Sequence, residues 1–202
     1  MPIAATRAAR LAAFIGVPLA LVASGVLVST ASYSAFSATT TNPTSNWTAG
    51  NVFLADDDSN TALFTATALK PGSTGQKCIL VTSTGSLASD VKLYGTNPAT
   101  TNALAGSLNL TVEQGTGGTF ASCSSFVPQA TGATLYNGTV ASFGTTYTSF
   151  SNGLATWSPA AAASGGSESK AFRFTYTLPA NAPSTVQGGT AALGFTWEAQ
   201  NN

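Results

Sequence analysis

The chain has 202 residues, a formal net charge of 0, no histidine and only 7% charged residues, against about 25% in an average soluble domain. Without histidine, a His-Glu-x-x-His zinc site, a Ser-His-Asp triad and a Cys-His nucleophile are all excluded. There is no basic patch to bind nucleic acid, and eleven Phe, five Tyr and three Trp argue against a disordered chain.

Arg7 and Arg10 precede an apolar run from Leu11 to Val28, with small residues beyond it. A basic flank, an apolar run and small residues in that order make an export signal. The run is 18 residues long, near the lower limit for a membrane span. Gly16, Pro18 and Gly25 weaken it as a permanent helix. Ser32-Tyr33-Ser34 puts small residues at both specificity positions for a cut between Ser34 and Ala35. Ala35-Phe36-Ser37 ahead of Ala38 is a second candidate, and a retained anchor is the alternative to cleavage. With the first cut, residues 1–34 are a signal peptide and the chain meets the membrane only before cleavage. The mature chain then keeps five Lys/Arg against seven Asp/Glu, a net charge of about −2. So low a charge weakens repulsion between copies and suits close self-association.

Residues 35–49 read as an extended N-terminal segment. Phe36 is its one large side chain, followed by Ser37, Ala38, Thr39, Thr40 and Thr41. Residues 50–202 read as a single β domain. Alternation is the dominant signal. Phe172, Phe174, Tyr176 and Leu178 share one face of a strand over 170–178, and Leu193, Phe195, Trp197 and Ala199 repeat the pattern near the C-terminus. Leu108, Leu110 and Val112 alternate within 107–113. Shorter expected strands are 51–54, 62–68, 77–83, 91–94, 119–126, 134–141 and 145–150. Asn137-Gly138 reads as a type I′ hairpin turn. The one stretch of helical character is 152–157, and 158–169 reads as a small-residue loop. Many short strands between Gly, Pro and Asn breakers argue for an all-β fold, an antiparallel β-sandwich of jelly-roll type.

In an exported chain Cys78 and Cys123 are expected to form a disulfide, the alternative being two unpaired buried thiols. The loop closed is long, so the bond stabilises by about 3–4 kcal/mol on chain-entropy grounds. Two thiolates without histidine are a poor metal set. Asp56-Asp57-Asp58 is the only acidic cluster; it reads as a solvated turn, with calcium ligation as a weak alternative. Asn46, Asn109 and Asn137 fit the glycosylation acceptor pattern. Tyr94, Tyr136, Tyr147 and Trp157 are candidate glycan-stacking residues, or else core. No motif selects a Ser-Lys dyad or a pair of glycosidase carboxylates, so no catalytic residue and no cofactor are expected.

Read in order, Ser34-Ala35-Phe36, Thr48-Ala49-Gly50-Asn51-Val52-Phe53-Leu54, Ala68-Leu69-Lys70-Pro71-Gly72 and Thr84-Gly85-Ser86-Leu87-Ala88-Ser89-Asp90-Val91 lead to a distinctive close. That close is Leu178-Pro179-Ala180-Asn181, Val186-Gln187-Gly188-Gly189 and Phe195-Thr196-Trp197-Glu198-Ala199-Gln200-Asn201. The set resembles the TasA/camelysin family of secreted bacterial proteins, whose signal peptide is cut by a SipW-type signal peptidase. The match covers both ends of the mature chain and not residues 95–167. It implies a jelly-roll fold and subunits of extracellular biofilm-matrix fibres, in which the freed N-terminal segment completes a neighbour's sheet. The metallopeptidase activity described for camelysin-like relatives does not carry over to a chain without histidine.

The sequence therefore reads as a secreted structural protein of the extracellular matrix or cell surface that self-associates into filaments. Cleavage between Ser34 and Ala35 would free Ala35–Asn46 as a donor strand. The plainer alternative is a frayed or folded-back terminus. Rival functions are a monomeric cell-surface module binding a glycan, calcium or a matrix partner, and a secreted hydrolase.

Overall fold

The computed structural model describes residues 48–162 and 166–202. The chain divides into two units, Met1–Thr48 and Ala49–Asn202. The expected signal peptide, the Ser34/Ala35 cleavage site and the donor segment from Ala35 through Phe36, Ser37, Ala38, Thr39, Thr40 and Thr41 all lie outside the described residues.

In the second unit the alternating runs become the strands of two antiparallel sheets. In chain order the strands are β1 (Leu54–Asp56), β2 (Thr74–Ser83), β3 (Ser89–Thr100), β4 (Asn109–Thr116), β5 (Val127–Pro128), β6 (Thr134–Thr139), β7 (Leu154–Trp157), β8 (Glu168–Thr177) and β9 (Ala191–Asn201). Two short helices, α1 (Leu104–Ser107) and α2 (Val140–Thr146), and a 3-10 turn at Ser184–Val186 complete it. The larger sheet runs β1-β2-β8-β4, and β4 then pairs with both β5 and β6 at different points along its far edge. The smaller sheet runs β7-β3-β9.

The core lies between the sheets, and β8 supplies its centre. Phe172 and Phe174 are fully buried. Phe172 packs on Trp157 and Trp197 with ring centroids 5.8 and 5.2 Å apart. Phe174 packs on Phe195 at 4.6 Å and Trp197 at 5.9 Å. Such pairs add about 0.5–1.5 kcal/mol each beyond the area they bury. Ile79, Val81, Leu93, Leu110 and Val112 fill the space around them. The Gly95 amide on β3 donates to the Tyr147 carbonyl at 2.8 Å, and a Cβ there would meet Leu193 at 2.9 Å. That close approach lets α2 rest on the smaller sheet.

The all-β, antiparallel reading holds, and the long strands fall where alternation places them. Five local expectations fail, each because a tertiary contact outweighs local preference. The stretch 62–68 is irregular rather than a strand, because it buries neighbours instead of alternating. Leu63 is in the core, and Phe64 packs edge-on to Tyr176 at 5.0 Å. The stretch 119–126 is a loop pinned by the disulfide, with a single bridge between Thr119 and Ser122. Asn137-Gly138 forms no hairpin turn, since neither residue has the positive φ a type I′ turn requires. Both pair in register with β4. Gly138 is there for space, because a Cβ would come within 2.5 Å of the Tyr136 hydroxyl, which donates to the Thr139 carbonyl at 2.7 Å.

The chain after Gly138 turns into α2, so 139–146 supplies a capped helix in place of the expected continuation of strands over 134–141 and 145–150. Thr139 is the N-cap, its hydroxyl accepting from the Ser142 amide at 3.1 Å. Val140 and Phe143 are buried despite their strand preference. Conversely, the stretch with helical character becomes β7, because it adds an edge to β3.

Thr139→Ala removes the cap of α2 and should lower stability by about 1 kcal/mol. Phe174→Ala should cost about 3–5 kcal/mol. Chemical denaturation of both variants checks the ranking.

Candidate functional groove

Among the described residues, one side of the sandwich is incomplete. On that side β1 pairs only with the Val81–Ser83 end of β2. On the smaller sheet β9 pairs with β3, and among the described residues its other edge pairs with nothing. The gap between the two edges is crossed by the strap of residues 57–73, which leads from β1 back to β2.

The strap is hydrogen-bonded at its ends and held in the middle by side chains alone. At its start the Asp57 carboxylate accepts the Leu80 amide at 2.8 Å and the Phe120 amide at 2.8 Å. At its far end the Gly72 amide donates to the Leu178 carbonyl at 2.8 Å, and the Leu178 amide donates to the Ser73 carbonyl at 2.8 Å. Between them, residues 62–69 make no backbone hydrogen bond among the described residues. Ala62 and Thr65–Ala68 are exposed, so an unpaired strap facing an unpaired strand edge leaves backbone groups free to take up a further strand.

The strap and β9 enclose a groove of about 1220 Å³. Leu110, Val140 and Leu178 line it from within, and Leu193, Phe195 and Trp197 line it from β9. These three β9 side chains stay partly exposed although they point between the sheets. Trp197 Nε1 is buried with no hydrogen-bond partner. Asp58 and Lys70 are the charged side chains that line the groove. An extended peptide suits such a site: its backbone can pair with the open edge while alternate side chains fill the apolar floor.

Apart from Asp58, the candidate site residues among the described ones lie outside the groove. Cys78 on β2 and Cys123 in the loop after β4 are joined by a disulfide, Cα atoms 5.3 Å apart. It lies in a small satellite cluster with Phe126, Ala171 and Leu80. Asp56, Asp57 and Asp58 form a turn, where the Asp58 carboxylate accepts the Asn60 amide at 2.6 Å and Asp56 accepts the Asp58 amide at 3.3 Å. Among the described residues no group of three acidic or thiol side chains is arranged to hold a metal ion. Partial burial, and then the Asp58 side chain, push the Asp56 carboxyl above its ordinary value of 3.8.

Of the candidate glycan-stacking aromatics, Tyr136, Tyr147 and Trp157 pack against the core. Tyr94 is on the outer face of the smaller sheet, and its hydroxyl donates to Glu198 at 2.9 Å, which raises the phenol above its usual range. Asn109 and Asn137 are exposed on β4 and β6, and Asn46 lies outside the described residues. Among the described residues no helix is long and apolar enough to cross a membrane.

Sequence reasoning missed the groove itself. Its one visible signal was Leu193, Phe195 and Trp197, an apolar face larger than the strap covers. No protein-family model and no curated protein matches the chain.

Because the Asp56 carboxyl titrates higher in the folded state, the native protein binds more protons just above the ordinary carboxylate range. Stability therefore falls as pH rises through that window. Asp56→Asn removes the effect. Relative to the parent, the variant should gain melting temperature between about pH 4 and pH 7. A flat difference across that range in differential scanning calorimetry would contradict this.

Proposed function

We propose that this chain is a secreted subunit of extracellular fibres in a biofilm-type matrix, related to the TasA/camelysin proteins and built on a jelly-roll variant of the two-sheet sandwich. Export and cleavage between Ser34 and Ala35 by a SipW-type signal peptidase free the segment from Ala35 to Asn46. That segment from one subunit lies along β9 of the next, with Phe36 in the apolar groove. The disulfide is consistent with an oxidising, extracytoplasmic setting.

One observation carries the reading: the groove is bordered by an unpaired β9 edge and by a strap whose residues 62–69 have no backbone partner among the described residues. A long open edge is a liability that folded proteins normally blunt with charge, proline or cover. β9 carries a single charged side chain, Glu198, and no proline. An added strand would satisfy the edge, bury Leu193, Phe195 and Trp197 more fully, and give the buried Trp197 donor a partner.

The segment ahead of the domain has a fixed root. The Asn51 amide donates to the Ser86 hydroxyl at 2.9 Å, the Ser86 amide donates to the Asn51 side chain at 3.1 Å, and the Leu87 amide donates to the Asn51 carbonyl at 3.1 Å. A donor rooted on one surface and an acceptor on another make a heterologous contact, which does not close and so propagates as a filament. Cleavage is then the assembly switch.

Negative-stain electron microscopy of the processed protein is the test. The processed chain should form filaments, and a chain lacking residues 35–46 should remain folded and monomeric. Filaments from the truncated chain would overturn the donor-strand reading. A processed chain that stays monomeric and melts higher with a soluble glycan would favour the binding-module alternative.

A further inference from the structure

We propose that the Cys78–Cys123 disulfide is a redox latch on the groove, acting through Asp57 as a positioning residue. Only the nature of the groove's occupant rests on the fibre reading; the coupling does not.

The path is short and made of named contacts. The disulfide fastens the loop 117–126 to β2, with Phe126 packed on Ala171 and on the Arg173 guanidinium, whose centre is 4.7 Å from the Phe126 ring. Within that loop Thr119 and Ser122 bond each other, and the Gly118 amide donates to the Ser125 hydroxyl at 2.9 Å. The loop so shaped presents the Phe120 amide to Asp57 Oδ2 while the Leu80 amide holds Oδ1, both at 2.8 Å. The Phe120 ring sits 4.8 Å below Lys77 Nζ. Asp58, the next residue, is the first of the strap to line the groove.

Asp57 therefore ties three pieces together: the disulfide loop, β2 and the start of the groove wall. Hydrogen bonds to a charged acceptor are the stronger kind, and the middle of the strap has no backbone bonds of its own. The position of this wall depends on its two hydrogen-bonded ends and on the packing of Leu63 and Phe64, and one end depends on where Phe120 is held.

A dithiol reductant opens the latch. Its thiolate attacks Cys123 Sγ, which is partly exposed, and a mixed disulfide forms as the Cys78–Cys123 bond breaks. The buried Cys78 leaves as a thiolate and takes up a proton. The reductant's second thiol then displaces Cys123, so the pair gains two electrons and two protons and the dithiol becomes a cyclic disulfide. Loop 117–126 is then held without a covalent bond, by the two-residue strand β5, the small apolar cluster around Phe126 and the packing of Phe120 on the core. Phe120 withdraws from Asp57, and the strap swings away from β9. Oxidised, the groove is shaped; reduced, it is slack.

The test is limited chymotrypsin digestion of the processed full chain in three forms: oxidised, reduced with dithiothreitol and alkylated, and Asp57→Asn with the disulfide intact. Cleavage after Phe64 in the strap should be at least tenfold faster in the second and third forms than in the first. Cleavage after Phe172 and Phe174 in the core should stay slow in all three. Unchanged Phe64 cleavage in the reduced form, with new cuts confined to Phe120 and Phe126, would show that the loop is not coupled to the groove. Rapid cleavage at Phe172 on reduction would show that the disulfide holds the whole fold, which also overturns the latch. Unchanged Phe64 cleavage in Asp57→Asn would remove Asp57 as the link. Filament growth is scored on the same samples: absence of filaments from every form counts against the fibre reading and leaves the latch standing.

Discussion

The contact between Phe172 and Phe174 of β8 and the aromatic side chains facing them, Trp157, Phe195 and Trp197, holds the two sheets at their spacing. β8 is the central strand of the larger sheet, paired with β2 on one side and β4 on the other. Its inner face therefore cannot move without disturbing both neighbours. With charged side chains so few, ion pairing adds little; among the described residues the one salt bridge joins Arg173 to Glu113 at 2.7 Å on the outer face. Stability comes instead from buried aromatic area, from strand ladders and from the disulfide.

That same aromatic seam explains why the groove exists. The larger sheet has six strands and the smaller has three. A three-stranded sheet centred on the seam covers β8 and falls short at the β1–β2 edge. The difference is made up by an irregular strap, which brings Leu63 and Phe64 to the core and leaves its own backbone unpaired. The result, among the described residues, is a domain with a well-packed middle and one incomplete side. The loop that the disulfide fastens meets the start of that strap at the Asp57 carboxylate, which accepts the Phe120 amide. Packing and topology thus put the groove near the loop that the disulfide fastens.

Much of the fold was legible in the sequence, where alternation coincided with burial. The strands β2, β3, β4, β8 and β9 are long, half-buried and bounded by breakers, so period-two patterning located them. The errors share a cause. Gly138 reads as a turn residue but is needed because the Tyr136 ring lies over it. Val140 and Phe143 read as strand residues but sit in a helix, because Thr139 caps it and the core accepts their side chains. Cys123 lies in what reads as a strand and is in fact a loop, because the bond to Cys78 replaces the ladder. The candidate site was less legible still. An unpaired edge is a relation between distant segments, and no local pattern encodes which strand lacks a neighbour.

The sequence by itself determined the chemistry that is absent and the kind of scaffold that is present. The lack of histidine removes the common catalytic sets, scarce charge leaves a neutral surface, and alternating aromatic residues commit the domain to sheets. The two cysteines and the apolar run near the N-terminus also follow from residue identity alone. Only the tertiary structure decided that 62–68 is a strap and not a strand, that among the described residues β9 is left with an open edge, and that Asp57 accepts the Leu80 and Phe120 amides. The physical reason is that hydrogen-bond partners and cavities arise from segments brought together across the chain. Residue types specify which faces must be buried, whereas the topology settles which edges are left without a partner.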